Sequence, residues 1–415
     1  MTTENKTVVV EVFDRIMGSG KTTGITNWMN NNPQNKYLYI SPTLTEVEAR
    51  IPAKCPSLEF VFPNTQEHRT KGDCLYAMLQ RGDNIAFSHS LFMDMRKKHL
   101  DMIAKQNYVL IIDEEVSLIS PYSGRYTRGD VISLEKAQHI KVHDDDVGRI
   151  EWLWQDMEED TAYSMFQGLC QADMLYCSKR DRDILVIHLP MQLIQSAQRV
   201  ILLTYLFNGS VMDSFLRLKG VNIIPFTEIS TLKTTKQIKE ECRSLINLVE
   251  TPSTKAVSSF PLSSSWYSRN STQEDIDKIS NAIRSIYRKY GNKENFLYTV
   301  PKEIVFPDNI RKNTKMFKDD RWPVEYCWLH SSCRATNLYI NKSVLVHAFN
   351  RYVNLPVQAY LQDYAHPAND NAFALSEMVQ WIWRGCIRDG RPITLCIISD
   401  RMRTLFKKWL DDPEC

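Results

Sequence analysis

The chain has 415 residues, 43% of them hydrophobic and 24% charged, with 14 glycines and 17 prolines, a composition that excludes long disordered tracts and suits two α/β domains. A formal charge of +2 means that any nucleic-acid contact must come from a local groove and not from a globally basic surface. The 10 cysteines form no CxxC pair and no zinc-finger spacing, no secretory leader is evident, and no apolar run nears the roughly 20 residues that cross a bilayer, so reduced thiols, no zinc, no membrane segment and a cytoplasmic location are expected.

In the first half, short β-branched or aromatic runs at 8–12, 37–40, 85–87, 108–112, 184–188 and 200–203 alternate with helix-sized segments. Apolar runs of this length read as buried strands of a doubly wound parallel sheet with crossover helices. Directly after the first strand stand Gly18, Ser19, Gly20, Lys21, Thr22 and Thr23. Two glycines let the backbone wrap around a triphosphate, Ser19 and Thr23 complete the cradle, Lys21 reaches the β and γ phosphates, and Thr22 can hold Mg²⁺. The general phosphate-loop pattern carries glycine where this chain has Arg15.

The strand at 108–112 ends in Asp113 and Glu114, and carboxylates at the C-terminal end of a parallel strand face the crevice where ligands of such sheets bind. Asp113 is then a Mg²⁺ ligand, directly or through water, and Glu114 orients or deprotonates the attacking water. From about 117 to 171 the rhythm turns charged and aromatic, and we expect a mostly helical insertion packed beside the sheet.

The second half repeats the α/β alternation, with strands expected at 246–249, 296–300, 344–347 and 393–398. A helix over 271–290 is marked by Ile276, Ile279, Ile283 and Ile286 and capped by Thr272. Trp266 and Tyr267 are either a base-stacking platform or, by default, core. Near the end, Val379, Ile382, Trp383, Cys386 and Ile387 make an apolar stripe at helical spacing. On one continuous helix Gln380, Arg384 and Arg388 would share a neighbouring face and could aim arginines at phosphate, with a solvated ion-pair face as the alternative.

With GSGKT at 18–22 and DEEV at 113–116, the chain resembles superfamily 2 helicases, in particular the short two-domain helicases of tailed bacteriophages, over about residues 8–400. The resemblance implies two RecA-like α/β domains with parallel sheets, at 1–235 and 236–415, the insertion lying in the first. It further implies that Ser41, Pro42, Thr43, His89 and Ser90 touch the nucleic-acid backbone and that Thr204 couples the γ-phosphate site to movement. Arg334, Thr336 and Asn337 would form a nucleic-acid motif of the second domain. ATP and Mg²⁺ would be held between the domains, with Gln380 and either Arg384 or Arg388 completing the catalytic set with Glu114. The activity implied is that of an ATP-dependent helicase or translocase on single-stranded or branched DNA, with replication or recombination proteins as partners. A phosphate-loop ATPase acting as an assembly or recruitment switch is the reading from a different class.

Overall fold

The structure, a computed structural model, describes residues 8–66, 68–154, 163–305, 327–332 and 338–412; Arg334, Thr336 and Asn337 lie outside these. The described residues fall into two compact units. One is drawn from Met1–Asp14, Lys21–Ser230 and Val353–Asn369, the other from Arg15–Gly20, Thr231–Tyr352 and Asp370–Cys415.

The first unit is built on β1 (Val9–Asp14), β2 (Tyr37–Ser41), β3 (Ile85–Ser88) and β4 (Val109–Asp113). Five short strands follow, β5 (Ile119–Pro121), β6 (Ile140–His143), β7 (Arg149–Trp152), β8 (Leu175–Cys177) and β9 (Leu185–His188), before β10 (Arg199–Thr204) and β11 (Asn222–Pro225). Strands β11-β1-β10-β4-β2-β3 form a six-stranded sheet in which every pairing is parallel. The inner strands are continuously apolar because helices cover both faces; every residue of β2 is buried. Strand β11, largely exposed and ending in Pro225, lies at the edge, where a missing N–H costs no ladder bond.

The expected helical insertion is corrected. Strands β5 to β9 form a five-stranded antiparallel sheet in the order β5-β9-β8-β7-β6, accompanied by the short helices Asp130–Lys136 and Ser164–Gln171. The strand expected at 184–188 is β9, so it belongs to this sheet and not to the parallel one. Strands β6 and β7 alternate apolar and polar residues and pair from Ile140↔Trp152 to His143↔Arg149. Their connection uses Asp144–Asp146 as a single 3₁₀ turn, then Val147 and Gly148 at positive φ of 44° and 78°. Period-2 patterning sits inside the charged composition that suggested helices. A helix from the second half of the chain, Leu355–Asp363, packs on this sheet within the same unit: Tyr360 donates to the Val147 carbonyl (2.7 Å) and Tyr364 to that of Cys177 (3.3 Å).

The second unit carries β12 (Ile246–Leu248), β13 (Phe296–Thr299), β14 (Val344–His347) and β15 (Ile393–Ile397), all parallel in the order β12-β15-β14-β13. Each strand expected in this half is present. The helix Gln273–Tyr290 buries Ile276, Ile279, Ile283 and Ile286 against the sheet, and Thr272 caps it by accepting from the Asp275 backbone N–H. Tyr267 is core, its hydroxyl donating to the Ala348 carbonyl at 2.8 Å.

The expected continuous helix through Arg388 is also corrected. The helix Asp370–Ile382 contains Gln380 but ends before Arg384. Arg384 N–H and Gly385 N–H donate to carbonyls only three residues back (3.0 and 3.1 Å), Gly385 is extended, and a 3₁₀ turn spans Cys386–Asp389. The cause is a close backbone approach: Cys386 N–H donates to the Lys342 carbonyl at 2.9 Å, and a side chain at Gly385 would come within 2.8 Å of that oxygen. The apolar residues still bury, but Gln380, Arg384 and Arg388 share no helical face.

Candidate nucleotide site

Strand order sets the site. Within the first unit β10 lies between β1 and β4, and the registers Asp14↔Thr204 and Leu203↔Asp113 bring the C-terminal ends of all three strands level. Those ends carry Asp14, Thr204 and Asp113, and the chain leaves β1 through Arg15–Gly20 to begin the helix Lys21–Asn31. The loop needs its glycines: Gly18 and Gly20 sit at φ of 79° and 91°, a region costly for any residue with a Cβ. A Cβ on Gly20 would also fall 2.9 Å from Leu232 Cγ. The Ser19 hydroxyl is buried with no hydrogen-bond partner among the described residues, a polar atom for which a bound anion would supply the missing contact.

The charges around Lys21 are dominated by carboxylates. Burial lowers the Lys21 ammonium below its ordinary pKa, opposed by Asp113, Glu114 and Asp14. Asp113 is pushed up to about 7, first by burial and then by Glu114 and Glu46, while the Tyr39 hydroxyl and Lys21 pull it back. Tyr39 donates to Asp113 Oδ2 at 2.9 Å, and His89 Nε2 lies 2.9 Å from the Asp113 carbonyl oxygen. Glu114 holds a left-handed backbone, φ 65°, with its N–H donating to the Leu203 carbonyl at 2.9 Å. That conformation costs about 1–2 kcal/mol in a residue with a Cβ, and such strain concentrates at functional sites.

Thr204 is buried, and its hydroxyl donates to Glu115 Oε1 at 3.1 Å. The Asp14 carboxylate accepts from the backbone N–H groups of Leu206 and Phe207, both at 2.9 Å. Thr204 is thus tied to the acidic motif through Glu115, and the segment that follows it is tied to the end of β1 through Asp14. Asp14, Glu115 and Tyr39 were absent from the expected site. Asp14 was legible by the argument that found Asp113, a carboxylate ending a parallel strand, whereas Tyr39 carries no sequence signal because strand tyrosines are ordinarily core.

Of the residues expected on nucleic acid, Ser41 is fully buried, Pro42, Thr43 and His89 are half-buried, and Ser90 is exposed. In the second unit, Gln380 donates to Ser376 Oγ at 3.1 Å, Arg384 is buried, and Arg388 is exposed. Thr22 starts the helix beside Lys21, its carbonyl accepting from the Thr26 hydroxyl at 2.9 Å; Lys54 Nζ reaches Thr23 Oγ1 at 3.4 Å. Among the described residues no three His, Cys, Asp or Glu side chains converge to hold a metal unaided. Mg²⁺ on a triphosphate needs only one or two protein oxygens, and Thr22 with Asp113 supplies that number.

Residues 240–410 match the family model of the YonV C-terminal Rossmann-like domain. The SPbeta prophage-derived uncharacterized protein YonV of Bacillus subtilis strain 168 is 28% identical over 429 residues, covering 97% of this chain and 99% of that one. Among solved structures, apo XPD superposes with a TM-score of 0.53 at 14% identity, covering 98% of this chain and 96% of the other. The fold is that of apo XPD. Xpd4 of S. tokodaii matches at a TM-score of 0.46 and 12% identity, over 97% of this chain and 94% of that one. The likeness to apo XPD covers nearly the whole chain and so takes in both units with their parallel sheets. No helix among the described residues is long and apolar enough to cross a membrane.

Proposed function

We propose that the chain is a nucleic-acid-dependent ATP hydrolase, a helicase or translocase acting on single-stranded or branched DNA in the replication, recombination or repair of a phage genome. The observation that carries this reading is the alignment of the phosphate loop, Asp113–Glu114 and Thr204 at the ends of three neighbouring strands. Gly18 to Thr23 cradle the triphosphate, and Lys21 neutralises its β and γ oxygens. Thr22 and Asp113 hold Mg²⁺, which offsets the phosphate charge when bound. Glu114 orients the attacking water and takes its proton. Positioning and charge stabilisation are the main demands of phosphoryl transfer.

Thr204 senses the state of this site through Glu115 and passes it to the segment that Asp14 holds. Arg388 is exposed and so the better placed of the two arginines to meet developing phosphate charge, whereas Arg384 is buried. Ser90, Pro42 and Thr43 are assigned to the nucleic-acid backbone. The phage setting rests on the likeness to a prophage-derived protein.

The test is displacement of streptavidin from biotinylated single-stranded DNA, with ATP and with a non-hydrolysable analogue. A motor removes the block only with ATP, and Lys21→Ala abolishes removal. ATP turnover without displacement on any strand or fork would favour the assembly-switch reading.

A further inference from the structure

The turn after β2 carries a carboxylate that neither the sequence motifs nor the mechanism above uses. Residues Glu46–Arg50 form a single π-helical turn, a rare conformation frequent at functional sites. It is anchored by Val47, buried in the first unit's core, and followed by buried Ile51. Glu46 is 12% exposed in its side chain; Oε2 accepts from Arg50 at 2.9 Å, whereas Oε1 is buried with no hydrogen-bond partner among the described residues. A buried carboxylate oxygen without a donor is costly, so the site is short of a donor.

Three groups of the nucleotide site feel the Glu46 charge. The Glu46 charge acts on Asp113, on the Tyr39 hydroxyl bonded to Asp113, and on Lys54, whose ammonium reaches Thr23. Glu46 therefore lies within electrostatic reach of Asp113 and Lys54, on a turn whose Val47 packs in the core with Tyr39 and Ile111 of β2 and β4. Ser41 gives an independent pointer. It follows Ile40, which pairs with Ile112, so it flanks Asp113 on the adjacent strand, and its hydroxyl is fully buried without a partner among the described residues.

We propose that Glu46 and Ser41 are positioning residues that hold water ligands of the Mg²⁺ bound by Thr22 and Asp113, water supplying the donors that Glu46 Oε1 and Ser41 Oγ lack. The inference rests on the nucleotide-site reading above. Outer-shell partners of this kind typically change metal affinity by about 10- to 100-fold.

The test is Mn²⁺ binding followed by electron paramagnetic resonance, on the full chain loaded with a non-hydrolysable ATP analogue. In Glu46→Gln, which keeps size and removes charge, Mn²⁺ affinity falls about tenfold while analogue affinity in EDTA is unchanged, and turnover recovers at raised Mg²⁺. Ser41→Ala shifts Mn²⁺ affinity in the same direction and serves as the second arm should Glu46→Gln fail to fold. A general folding defect would not be repaired by metal. Mn²⁺ affinity within a factor of about two of the parent in the folded variants would overturn this inference alone. Failure of the parent chain to bind any nucleoside triphosphate would overturn it together with the proposed function.

Discussion

Asp14→Asn is the sharpest probe of how the end of β1 is joined to the segment after Thr204. The carboxylate accepts two backbone N–H bonds at 2.9 Å, from Leu206 and Phe207, and Leu206 is held at φ 59°, a conformation that costs about 1–2 kcal/mol and favours release once the anchor weakens. Hydrogen bonds to a charged group contribute about 1.5–3 kcal/mol each. The asparagine keeps one acceptor and turns an NH₂ toward the other N–H, so at least one bond is lost. Converted at 1.4 kcal/mol per tenfold, that loss predicts exchange of the Leu206 and Phe207 amides about 10- to 150-fold faster in native-state hydrogen exchange, with β4 amides unchanged. ATP turnover falls with it, because Thr204 stands two residues before Leu206. Amide exchange within about threefold of the parent would refute the claim that Asp14 fixes this segment.

Lys21→Ala loses triphosphate binding, whereas Glu114→Gln keeps binding and loses turnover; equal affinity losses in a fluorescent-nucleotide titration would contradict the separate roles. His347, fully buried with no partner for either ring nitrogen among the described residues, is lowered to about 3 by burial and by Arg351. Its folded pKa lies below the unfolded value of about 6.5, so its contribution is complete above about pH 6.5 and is lost as pH falls toward 3, by up to about 1.4 kcal/mol per pH unit. His347→Phe flattens that part of the acid limb in urea titrations at successive pH values, and an unchanged slope would sink the assignment. Arg388→Ala melts like the parent yet loses about 10³-fold or more of stimulated turnover, while Arg384→Ala lowers the melting temperature; if Arg388→Ala retains turnover within about tenfold, Arg388 is not the finger.

The sequence made the parallel sheets and the phosphate loop legible because both are written locally: four to six apolar residues between turn signals, and glycines immediately before Lys21. The antiparallel sheet was hidden for the opposite reason. Its strands are three or four residues long, and the Asp144–Asp146 turn overwhelmed the alternation in Ile140–His143 and Arg149–Trp152. The break after Ile382 was equally hidden, since the stripe from Val379 to Ile387 keeps helical spacing on both sides and the cause lies at the distant Lys342 carbonyl. The placement of Leu355–Asp363 in the first unit depends on hydrogen bonds to Val147 and Cys177, more than 170 residues earlier. Local patterning was enough to single out Asp113 and Lys21 as candidates, but the Tyr39 bond to Asp113 and the Thr204 bond to Glu115 each require two strands to be set side by side.

The central claim is that nucleotide turnover at this site is coupled to nucleic acid. It is tested most directly by the steady-state ATP hydrolysis rate on a panel of single-stranded, duplex, forked and RNA substrates over a range of salt concentrations. The account predicts strong stimulation by single-stranded or forked DNA, little dependence on base sequence, loss of apparent affinity as salt rises because backbone contacts release counterions, and no stimulated rate in Lys21→Ala. A rate indifferent to every nucleic acid, or stimulation confined to one base sequence and insensitive to salt, would contradict it.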